Sequence, residues 1–380
     1  MIKPVVLLFT DWYYPGFKAG GPIQSCINLV QALQDTVSFF VVSSNLDLGD
    51  ALPYAAITPN QWVPGRFGEQ VWYADRGKIS SRQIRLLIKT VQPTAVYFNS
   101  MFSVRFTLLP LFLIRRYEGI KLILAPRGML HPGALGLKAG KKKIFLRIFR
   151  GLGLDKEILF QATTKEETGF IREKFPHADV KEVGNIPSFR RQKPATIAKE
   201  AGELKLVFLG RIHPTKNLLF LLDIFQKFPF RGRVELEIIG ESGNETYANE
   251  CLRQTAALPP QFQVRYSGAL PHAVSLEHLL EGHMLVLPSL GENFGHAIFE
   301  ALISGKPVLV SDQTPWKDLQ AVVAGWDLPL HRPDKFAEVI QQVIDMNQDE
   351  YEQWSAAAFR LANNYFKEAA YNSRYLELFS

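Results

Sequence analysis

The sequence has little cysteine and no long hydrophobic run. Only Cys26 and Cys251 occur among 380 residues, and their spacing matches neither a disulfide framework nor a metal-thiolate motif. The longest apolar run, 107–114, contains a proline and is far shorter than the roughly 20 residues that cross a bilayer. The first apolar run, 5–9, is soon followed by Asp11, so we find no secretion signal. These absences predict a protein of a reducing compartment without a membrane-spanning segment.

Two ligand-binding motifs are also missing. The sequence contains no Asp-x-Asp pattern, which would supply carboxylates for a divalent metal beside a diphosphate. We therefore expect no metal and no other cofactor. Residues 151–156 hold two glycines but do not complete Gly-x-Gly-x-x-Gly, and they follow a basic helical stretch where that fingerprint requires a strand. An NAD-dependent enzyme is therefore disfavoured.

The chain is long enough for two ordinary domains. Its 380 residues, 47% of them hydrophobic, suit two domains of about 150 to 200 residues each. Short apolar runs alternate with stretches of helical periodicity along the whole chain, which predicts α/β domains with parallel strands. Residues 188–202 are polar and lack apolar periodicity, so we expect the linker there.

The positive charge is unevenly spread. The net charge is +6, but residues 1–190 carry +11 and residues 191–380 carry −5. Much of the excess lies in 138–150, a stretch without acidic residues that predicts a basic amphipathic helix. Its cations are Lys138, Lys141, Lys142, Lys143, Arg147 and Arg150. Such a helix suits an anionic membrane surface, or it packs its apolar stripe on its own domain. No nucleic-acid recognition motif accompanies it, so we predict no nucleic-acid partner.

The most informative stretch is 282–312, which predicts a strand, a loop, a helix and a second strand. The short apolar runs at 284–287 and 307–310 are expected to be buried parallel strands. The loop between the first strand and the helix carries Gly291 and Gly295, where a backbone can approach a ligand closely. The helix start that follows presents unpaired N–H groups and the positive end of a dipole, which suits a phosphate or diphosphate.

Two carboxylates bracket this helix start. Glu292 lies in the loop, and Glu300 lies about a turn and a half into the helix. A carboxylate accepts hydrogen bonds from pairs of hydroxyl groups, which favours a sugar or a ribose as the ligand. Two solvated surface glutamates are the alternative interpretation.

A second pattern for anion binding follows the strand expected at 204–209. Residues 210–217 have the sequence Gly-Arg-Ile-His-Pro-Thr-Lys-Asn and lead into a helix. Arg211 offers a planar fork for phosphate oxygens, and Lys216 offers a point charge five residues later. As isolated surface cations they would need no explanation; beside Glu292 and Glu300 we interpret them as part of one site.

Together these segments resemble the signature of the retaining glycosyltransferases of the GT-B fold, specifically family 4, the group 1 glycosyltransferases. The resemblance rests on two glutamates with seven residues between them, on Ser-x-x-Glu-x-Phe-Gly, and on Gly-Arg-x-x-x-x-Lys-Asn. It implies an α/β protein of two Rossmann-like doubly wound domains facing a cleft. The acceptor-side domain would span 1–190 and the nucleotide-sugar domain 203–355, with a C-terminal helix at 356–380 crossing back to the first domain.

The resemblance also implies roles for individual residues. Arg211 and Lys216 would stabilise the leaving diphosphate, and Glu292 and Glu300 would bind the donor sugar and the ribose. The complete set of implied donor contacts is Gly20, Gly21, Arg127, Gly210, Leu270, Asn293, Phe294, Gly295, His296, Ala297 and Glu300. The implied catalytic set is Arg211, Lys216, Glu292 and His131.

One implied position stays open. Many relatives have a histidine directly after the strand expected at 121–126, close to the transferred sugar. Here Pro126 and Arg127 occupy that place, and His131 follows a few residues later. Either Arg127 or His131 could take the role.

The activity implied by the resemblance is metal-independent sugar transfer with retention of configuration. The donor would be a UDP- or GDP-sugar and the acceptor a saccharide or lipid-linked saccharide, in bacterial cell-surface polysaccharide or lipopolysaccharide biosynthesis. The protein would be cytoplasmic and peripheral at the inner face of the cell membrane. A GT-B sugar-nucleotide epimerase or phosphorylase is the alternative enzyme. A non-catalytic GT-B partner of a polysaccharide assembly is the alternative from another class, and it would have these charged groups replaced.

Overall fold

The computed structural model describes residues 3–136, 139–188, 192–368 and 370–380. The chain forms two compact units, the first comprising 1–186 with 370–380 and the second comprising 187–369. The return to the first unit therefore begins at Ala370, later than the expected position 356. Each unit is a predominantly parallel sheet with helices, which is the predicted Rossmann-like α/β class.

The first unit is built on an eight-stranded sheet in the described part of the chain. Its strands are β1 (Val5–Phe9), β2 (Ser38–Ser44), β3 (Trp62–Pro64), β4 (Gln70–Ala74), β5 (Ala95–Phe98), β6 (Lys121–Leu124), β7 (Leu159–Ala162) and β8 (Asp179–Glu182). Their order across the sheet is β3-β4-β2-β1-β5-β6-β7-β8. All neighbours are parallel except β3 and β4. The central strands β1 and β5 are apolar runs that the sheet buries almost completely, as expected for a parallel sheet covered on both faces.

Local signals set the ends of several helices in this unit. Its helices up to the linker are α1 (Gly21–Leu33), α2 (Ser81–Val91), α3 (Leu109–Ile114), α4 (Pro132–Gly136), α5 (Ala139–Gly151) and α6 (Lys165–Lys174). Ser80 and Gln83 form a capping box at the start of α2. The Thr164 side chain accepts a hydrogen bond from Glu167 N and caps α6, as its sequence predicts.

The segment that follows β2 is rich in proline and glycine but contains regular structure. Within 44–80, strands β3 and β4 form an antiparallel hairpin at the edge of the sheet. Trp62 packs edge-on against both Phe40 and Trp72, with ring centroids 5.3 and 5.6 Å apart. These aromatic contacts link the edge strand β3 to its neighbour β4 and to the next strand β2, and they form only in the folded sheet.

The second unit carries a six-stranded parallel sheet in the described residues. Its strands are β9 (Glu203–Leu209), β10 (Arg233–Ile239), β11 (Phe262–Gly268), β12 (Met284–Leu287), β13 (Val308–Ser311) and β14 (Gly325–Leu328), in the order β11-β10-β9-β12-β13-β14. Its helices are α7 (Leu218–Lys227), α8 (Glu245–Ala256), α9 (His272–Glu281), α10 (His296–Ile303), α11 (Pro333–Asp345) and α12 (Gln348–Glu368). The predicted strands at 284–287 and 307–310 are β12 and β13, which pair in parallel.

The single long helix expected at the end of the chain is two helices. After α12, residue Ala370 adopts a left-handed φ of 44°, which interrupts the helix, and α13 (Tyr371–Phe379) follows. Helix α13 belongs to the first unit, where the Phe379 ring packs against Phe39 and Tyr97. Among the described helices, none combines the length and the hydropathy needed to span a bilayer.

Candidate functional site

The second unit gathers its site residues at the ends of two neighbouring strands. The loop after β9 holds residues 210–217, and the loop after β12 holds residues 289–295. Because β9 and β12 are parallel neighbours, both loops leave the same edge of the sheet. Leu290 N donates a hydrogen bond of 2.8 Å to Thr215 O, so the two loops are in direct contact.

This contact joins one predicted cation to one predicted carboxylate. Lys216 Nζ lies 2.5 Å from Glu292 Oε1, and Ser289 Oγ donates to the same oxygen over 2.7 Å. The Lys216 side chain is 21% exposed and that of Glu292 is 9% exposed. The Lys216 stem passes close to Gly210, where an added Cβ would lie 3.7 Å from Lys216 Cδ. The pair is therefore a fixed, half-buried ammonium with one carboxylate neighbour, which leaves it able to bind an oxyanion.

Arg211 adds a second cation to the site, and a histidine that was not predicted lies next to it in the same loop. Desolvation lowers the pKa of the Arg211 guanidinium, and the nearby Glu292 carboxylate opposes that shift. The residue as a whole remains exposed, so the guanidinium stays charged at neutral pH. Partial burial and the charges of Arg211 and Lys216 lower the pKa of His213. His213 Nδ1 accepts a hydrogen bond from Thr215 N, so the neutral ring carries its proton on Nε2.

The second predicted carboxylate has a partner that the sequence did not reveal. Glu300 lies in α10 and is 4% exposed, and its Oε1 atom lies 2.7 Å from His272 Nε2. His272 is the first residue of α9 and lies two residues after Leu270, which was expected among the donor contacts. The two residues are 28 positions apart, and only the tertiary fold brings them together. This contact fixes the orientation of the Glu300 carboxylate.

The start of α10 lies between these two carboxylates. Gly295 adopts a φ of 77°, and an added Cβ would meet Ile298 Cδ1 at 2.8 Å, so the turn requires glycine. No side chain caps the helix, and His296 and Ala297 occupy its first turn. Phe294 was expected among the donor contacts, but its ring is buried against Trp316, whose Nε1 donates to Phe294 O. The Phe294 side chain therefore belongs to the core because the loop needs an apolar anchor there.

Comparison with known families identifies this part of the chain. Residues 189–361 match the family described as glycosyl transferases group 1. They form a group 1 glycosyltransferase domain. The resemblance inferred from Glu292, Glu300 and the Gly210–Asn217 segment is thereby confirmed.

Solved structures show the fold of the whole chain. HepE (Alr3699) of Anabaena, crystallised with UDP and glucose, is 16% identical, with 99% of each chain covered and a TM-score of 0.71. Sucrose-phosphate synthase of Thermosynechococcus elongatus is 15% identical, covering 100% of this chain and 98% of its own, with a TM-score of 0.71. WaaG, a glycosyltransferase involved in lipopolysaccharide biosynthesis, is 11% identical, with 99% of each chain covered and a TM-score of 0.68. The chain therefore has the predicted GT-B fold. No curated protein sequence matches it.

In the first unit, the glycine loop that precedes α1 has an open backbone. Gly20 adopts a φ of 64° just before the helix, and no described atom lies within 4 Å of where its Cβ would be. Gly21 and Pro22 form the first turn of α1. This geometry permits close approach of a ligand, as the sequence predicts, and the role of Gly20 and Gly21 stays a prediction.

Arg127 is partly exposed and makes several hydrogen bonds inside the first unit. Its Nε donates to Asn99 Oδ1 over 2.8 Å, its Nη2 donates to Tyr97 OH over 2.6 Å, and its Nη1 donates to Asn185 Oδ1. Three of the five guanidinium N–H groups are thus engaged inside the first unit, and the role of Arg127 as a donor contact stays a prediction. Arg127 meets these polar side chains because it follows β6, close to the ends of other strands of the sheet.

His131 is the other residue considered for this position. It precedes α4, is half-buried, and its ring packs edge-on against Phe170 with centroids 5.1 Å apart. Its Nδ1 accepts a hydrogen bond of 3.1 Å from Gly133 N, which assigns the proton of the neutral ring to Nε2. Both residues considered for the position after this strand are partly exposed, and which of them takes the role stays a prediction.

The basic segment is the helix α5, with Lys138 outside the described residues. Its apolar residues fall into a buried and an exposed set. Phe145, Leu146 and Phe149 are buried on the first unit. Ile144 and Ile148, one turn apart, remain 57% and 45% exposed.

The cations of α5 fall into two groups. Lys142 donates to Ala134 O and lies over the Phe102 ring, and Arg150 lies over the Phe175 ring. Lys141, Lys143 and Arg147 are exposed beside Ile144 and Ile148. The outer face of α5 is therefore both apolar and basic.

In the described residues, one group of metal-ligating side chains lies close together. It comprises Glu237, His278 and Glu281. Glu237 Oε1 already accepts hydrogen bonds from Arg265, Ser267 and His278, over 2.7, 2.6 and 2.8 Å. These contacts lower the pKa of Glu237 against the opposing effect of desolvation. The cluster is explained as an ion-pair network on the face of β10.

Proposed function

We propose that this protein transfers a sugar from a nucleoside-diphosphate sugar to a saccharide or lipid-linked saccharide, with retention of configuration and without a metal. The observation that carries the proposal is the joined pair of loops in the group 1 domain, where Lys216, Glu292 and Arg211 meet beside the start of α10. Glu300, oriented by His272, lies in the same helix. The crystallisation of HepE with UDP and glucose supports a UDP-sugar as the donor.

The charges of the site suit a leaving diphosphate. Breaking the bond between the anomeric carbon and the diphosphate develops negative charge on the diphosphate oxygens. Lys216 and Arg211 supply positive charge there, and the backbone N–H groups at the start of α10 add oriented dipoles. Glu292 holds the Lys216 ammonium in place before the donor arrives, so little reorganisation is needed.

The two carboxylates suit hydroxyl groups of the donor. The Glu300 carboxylate would accept hydrogen bonds from the ribose, with His272 fixing its orientation. Glu292 would also accept hydrogen bonds from the transferred sugar, in addition to its contacts with Lys216 and Ser289. A metal-independent reaction is proposed because two protein cations lie where the diphosphate would bind and the sequence has no Asp-x-Asp motif.

The outer face of α5 supports a membrane-associated acceptor. Exposed Ile144 and Ile148 can enter the interfacial region, while Lys141, Lys143 and Arg147 can contact anionic headgroups. This arrangement fits a peripheral protein at the inner face of the cell membrane that takes a lipid-linked acceptor. That WaaG is described as involved in lipopolysaccharide biosynthesis is consistent with a cell-surface polysaccharide pathway.

A panel of UDP-, GDP- and ADP-sugars tests the donor site. We expect one of them to raise the melting temperature of the protein by mass action and to be slowly hydrolysed. Lys216→Gln should lower kcat for that hydrolysis about 10²-fold, the effect expected for removing one electrostatic contact to the leaving group. Lys227→Gln is the matched control, since Lys227 is an exposed lysine of the same unit that pairs with Asp223. Equal loss in both variants, or no binding of any sugar nucleotide, would contradict the proposal.

Vesicle binding tests the membrane contact separately. We expect the protein to sediment with vesicles containing phosphatidylglycerol and to be released by high salt. Replacing Ile144 and Ile148 together by serine should weaken this binding, while donor hydrolysis stays intact. Binding that is insensitive to this change would remove α5 as the contact surface.

A further inference from the structure

The guanidinium of Arg127 is the starting point of a directed hydrogen-bond network in the first unit. Each of its three nitrogen atoms donates one hydrogen bond, to Asn99, Asn185 and Tyr97, which are 1%, 3% and 0% exposed. Among the described residues, no carboxylate forms an ion pair with Arg127. A guanidinium can only donate hydrogen bonds, so every group that faces it must present an acceptor. Arg127 therefore decides which way each partner side chain points.

Asn99 connects Arg127 to the glycine loop through hydrogen bonds at both ends of its amide. An asparagine amide has one accepting and one donating end, and Arg127 requires the accepting Oδ1 atom to face it. The Nδ2 end of Asn99 then points to Pro22 O, to which it donates over 3.2 Å. Pro22 directly follows Gly20 and Gly21, and Asn99 N is itself held by Phe9 O at the end of β1. One side chain thus ties the glycine loop to the sheet.

A second branch of the network runs to the two segments where the chain leaves and re-enters the first unit. Because Tyr97 OH accepts from Arg127, its own proton goes to Gln161 Oε1 over 2.6 Å. Gln161 Nε2 then donates to Val183 O over 2.7 Å and to Tyr375 OH over 2.8 Å. Tyr375 OH donates onward to Gly184 O over 3.1 Å. Every link keeps the direction that Arg127 sets.

We propose that Arg127 is a positioning residue that orients Asn99 and thereby holds the Gly20–Pro22 loop in the conformation that the donor requires. The part of the inference that concerns the donor rests on the proposed function, whereas the part that concerns the loop does not. Arg127 acts without touching the ligand, through an amide whose orientation it fixes. The network through Tyr97 and Gln161 anchors the same guanidinium to α13 and to the end of the first unit.

Asn99→Asp separates positioning from mere stability. The aspartate keeps acceptors for Arg127 and adds an ion pair, but it has no N–H to give to Pro22 O. We expect the melting temperature to stay close to wild type, while the amides of Gly20, Ile23 and Gln24 exchange with solvent about tenfold faster, the factor for one net hydrogen bond. With UDP-glucose as the probe, kcat for hydrolysis should fall about tenfold. The affinity for UDP, which the second unit binds, should change little.

Asn185→Asp is the matched control. It places the same substitution against the same guanidinium, but the contact described for Asn185 in this network is with Arg127 and not with Pro22. We expect normal exchange at the three amides in this variant. Wild-type exchange in Asn99→Asp, or equal acceleration in both variants, would overturn the positioning role. Failure of UDP-glucose to bind the wild-type protein would overturn the proposed function, whereas the exchange data would still decide whether Asn99 holds the loop.

Discussion

The two units have the same architecture but use charged residues in different ways. In the second unit, Lys216 and Glu292 meet in partly exposed loops at the strand ends. In the first unit, Arg127 also follows a strand end, and each of its three guanidinium nitrogens donates to a buried neutral side chain. Charge left accessible at a strand end can serve a ligand, whereas charge enclosed by hydrogen bonds holds loops in place.

A pair of buried glutamates sharpens this comparison. Glu300 in the second unit is 4% exposed and contacts His272. Glu167 in the first unit is equally buried, but its two oxygens accept hydrogen bonds from Gly128 N, Thr163 N and Thr163 Oγ1. The contacts predict that the first carboxylate matters for donor binding and the second for folding.

The largest effect is expected for Glu300→Ala. Loss of charge-assisted hydrogen bonds to the ribose should lower kcat/KM for the donor sugar about 10²-fold, since such bonds contribute roughly 1.5 to 3 kcal/mol each. Steady-state kinetics with the donor found in the panel measures this loss, and a melting curve checks that the variant folds. Glu277→Ala, at an exposed glutamate of α9, is the control. Wild-type kinetics in a folded Glu300→Ala protein would remove the ribose assignment.

Glu167→Ala should show the opposite pattern. Three donors around this buried carboxylate would lose their acceptor, at a cost of about 3 kcal/mol in the free energy of unfolding. Denaturant unfolding measures the loss. The affinity of the second unit for UDP should be unchanged at temperatures where the variant is folded. A stable Glu167→Ala protein with impaired donor binding would break the division of roles between the units.

The sequence alone identified the charged site residues of the second unit, because they lie close together along the chain. Arg211 and Lys216 lie five residues apart after one strand, and Glu292 and Glu300 lie within one loop and the helix that follows it. The pattern along the chain was therefore enough to assign the family. His272 was missed because its partner Glu300 is 28 residues away and the two meet only in the folded chain.

The first unit was harder to predict for the same physical reason. The partners of Arg127 come from β5 and from the segment after β8, so nothing along the chain shows that its donors are satisfied. Strands β12 and β13 are short, buried, mainly apolar runs, and the sequence pattern alone predicted them. Strands β3 and β14 are short and owe their pairing to neighbouring strands, and the break at Ala370 has no glycine or proline to mark it.

Low pH should reduce the stability of the second unit because His283 becomes protonated. Its Nδ1 accepts a hydrogen bond from Lys205 N, and its Nε2 lies 2.9 Å from Ala198 O, so the ring is held neutral. Burial lowers the pKa of His283 to about 4, against a hydrogen bond to Ala198 that raises it. The unfolded pKa is about 6.5, so the stabilisation is fully present above that pH and is lost as the pH falls toward 4.

The expected loss is at most about 3 kcal/mol in the free energy of unfolding, from a pKa difference of roughly two units. Urea unfolding between pH 7 and pH 4 measures it. His283→Gln keeps a donor and an acceptor but cannot titrate in this range, so its stability should depend less on pH. An equally steep acid loss in His283→Gln would assign the effect to other groups.

The smallest effects are expected for the loss of helix N-caps. They should be equal in the two units, because a cap is a hydrogen bond between residues close together along the chain. The Thr164 side chain caps α6 in the first unit, and the Asn244 side chain caps α8 in the second by accepting from Tyr247 N. Thr164→Ala and Asn244→Ala should each cost about 1 kcal/mol in the free energy of unfolding. Thr164→Ser retains the capping oxygen and should cost much less. If the units unfold in separate transitions, each alanine variant should shift only the transition of its own unit. A shift of both transitions by either variant would show that the units unfold as one cooperative system, and stability could then no longer be assigned unit by unit.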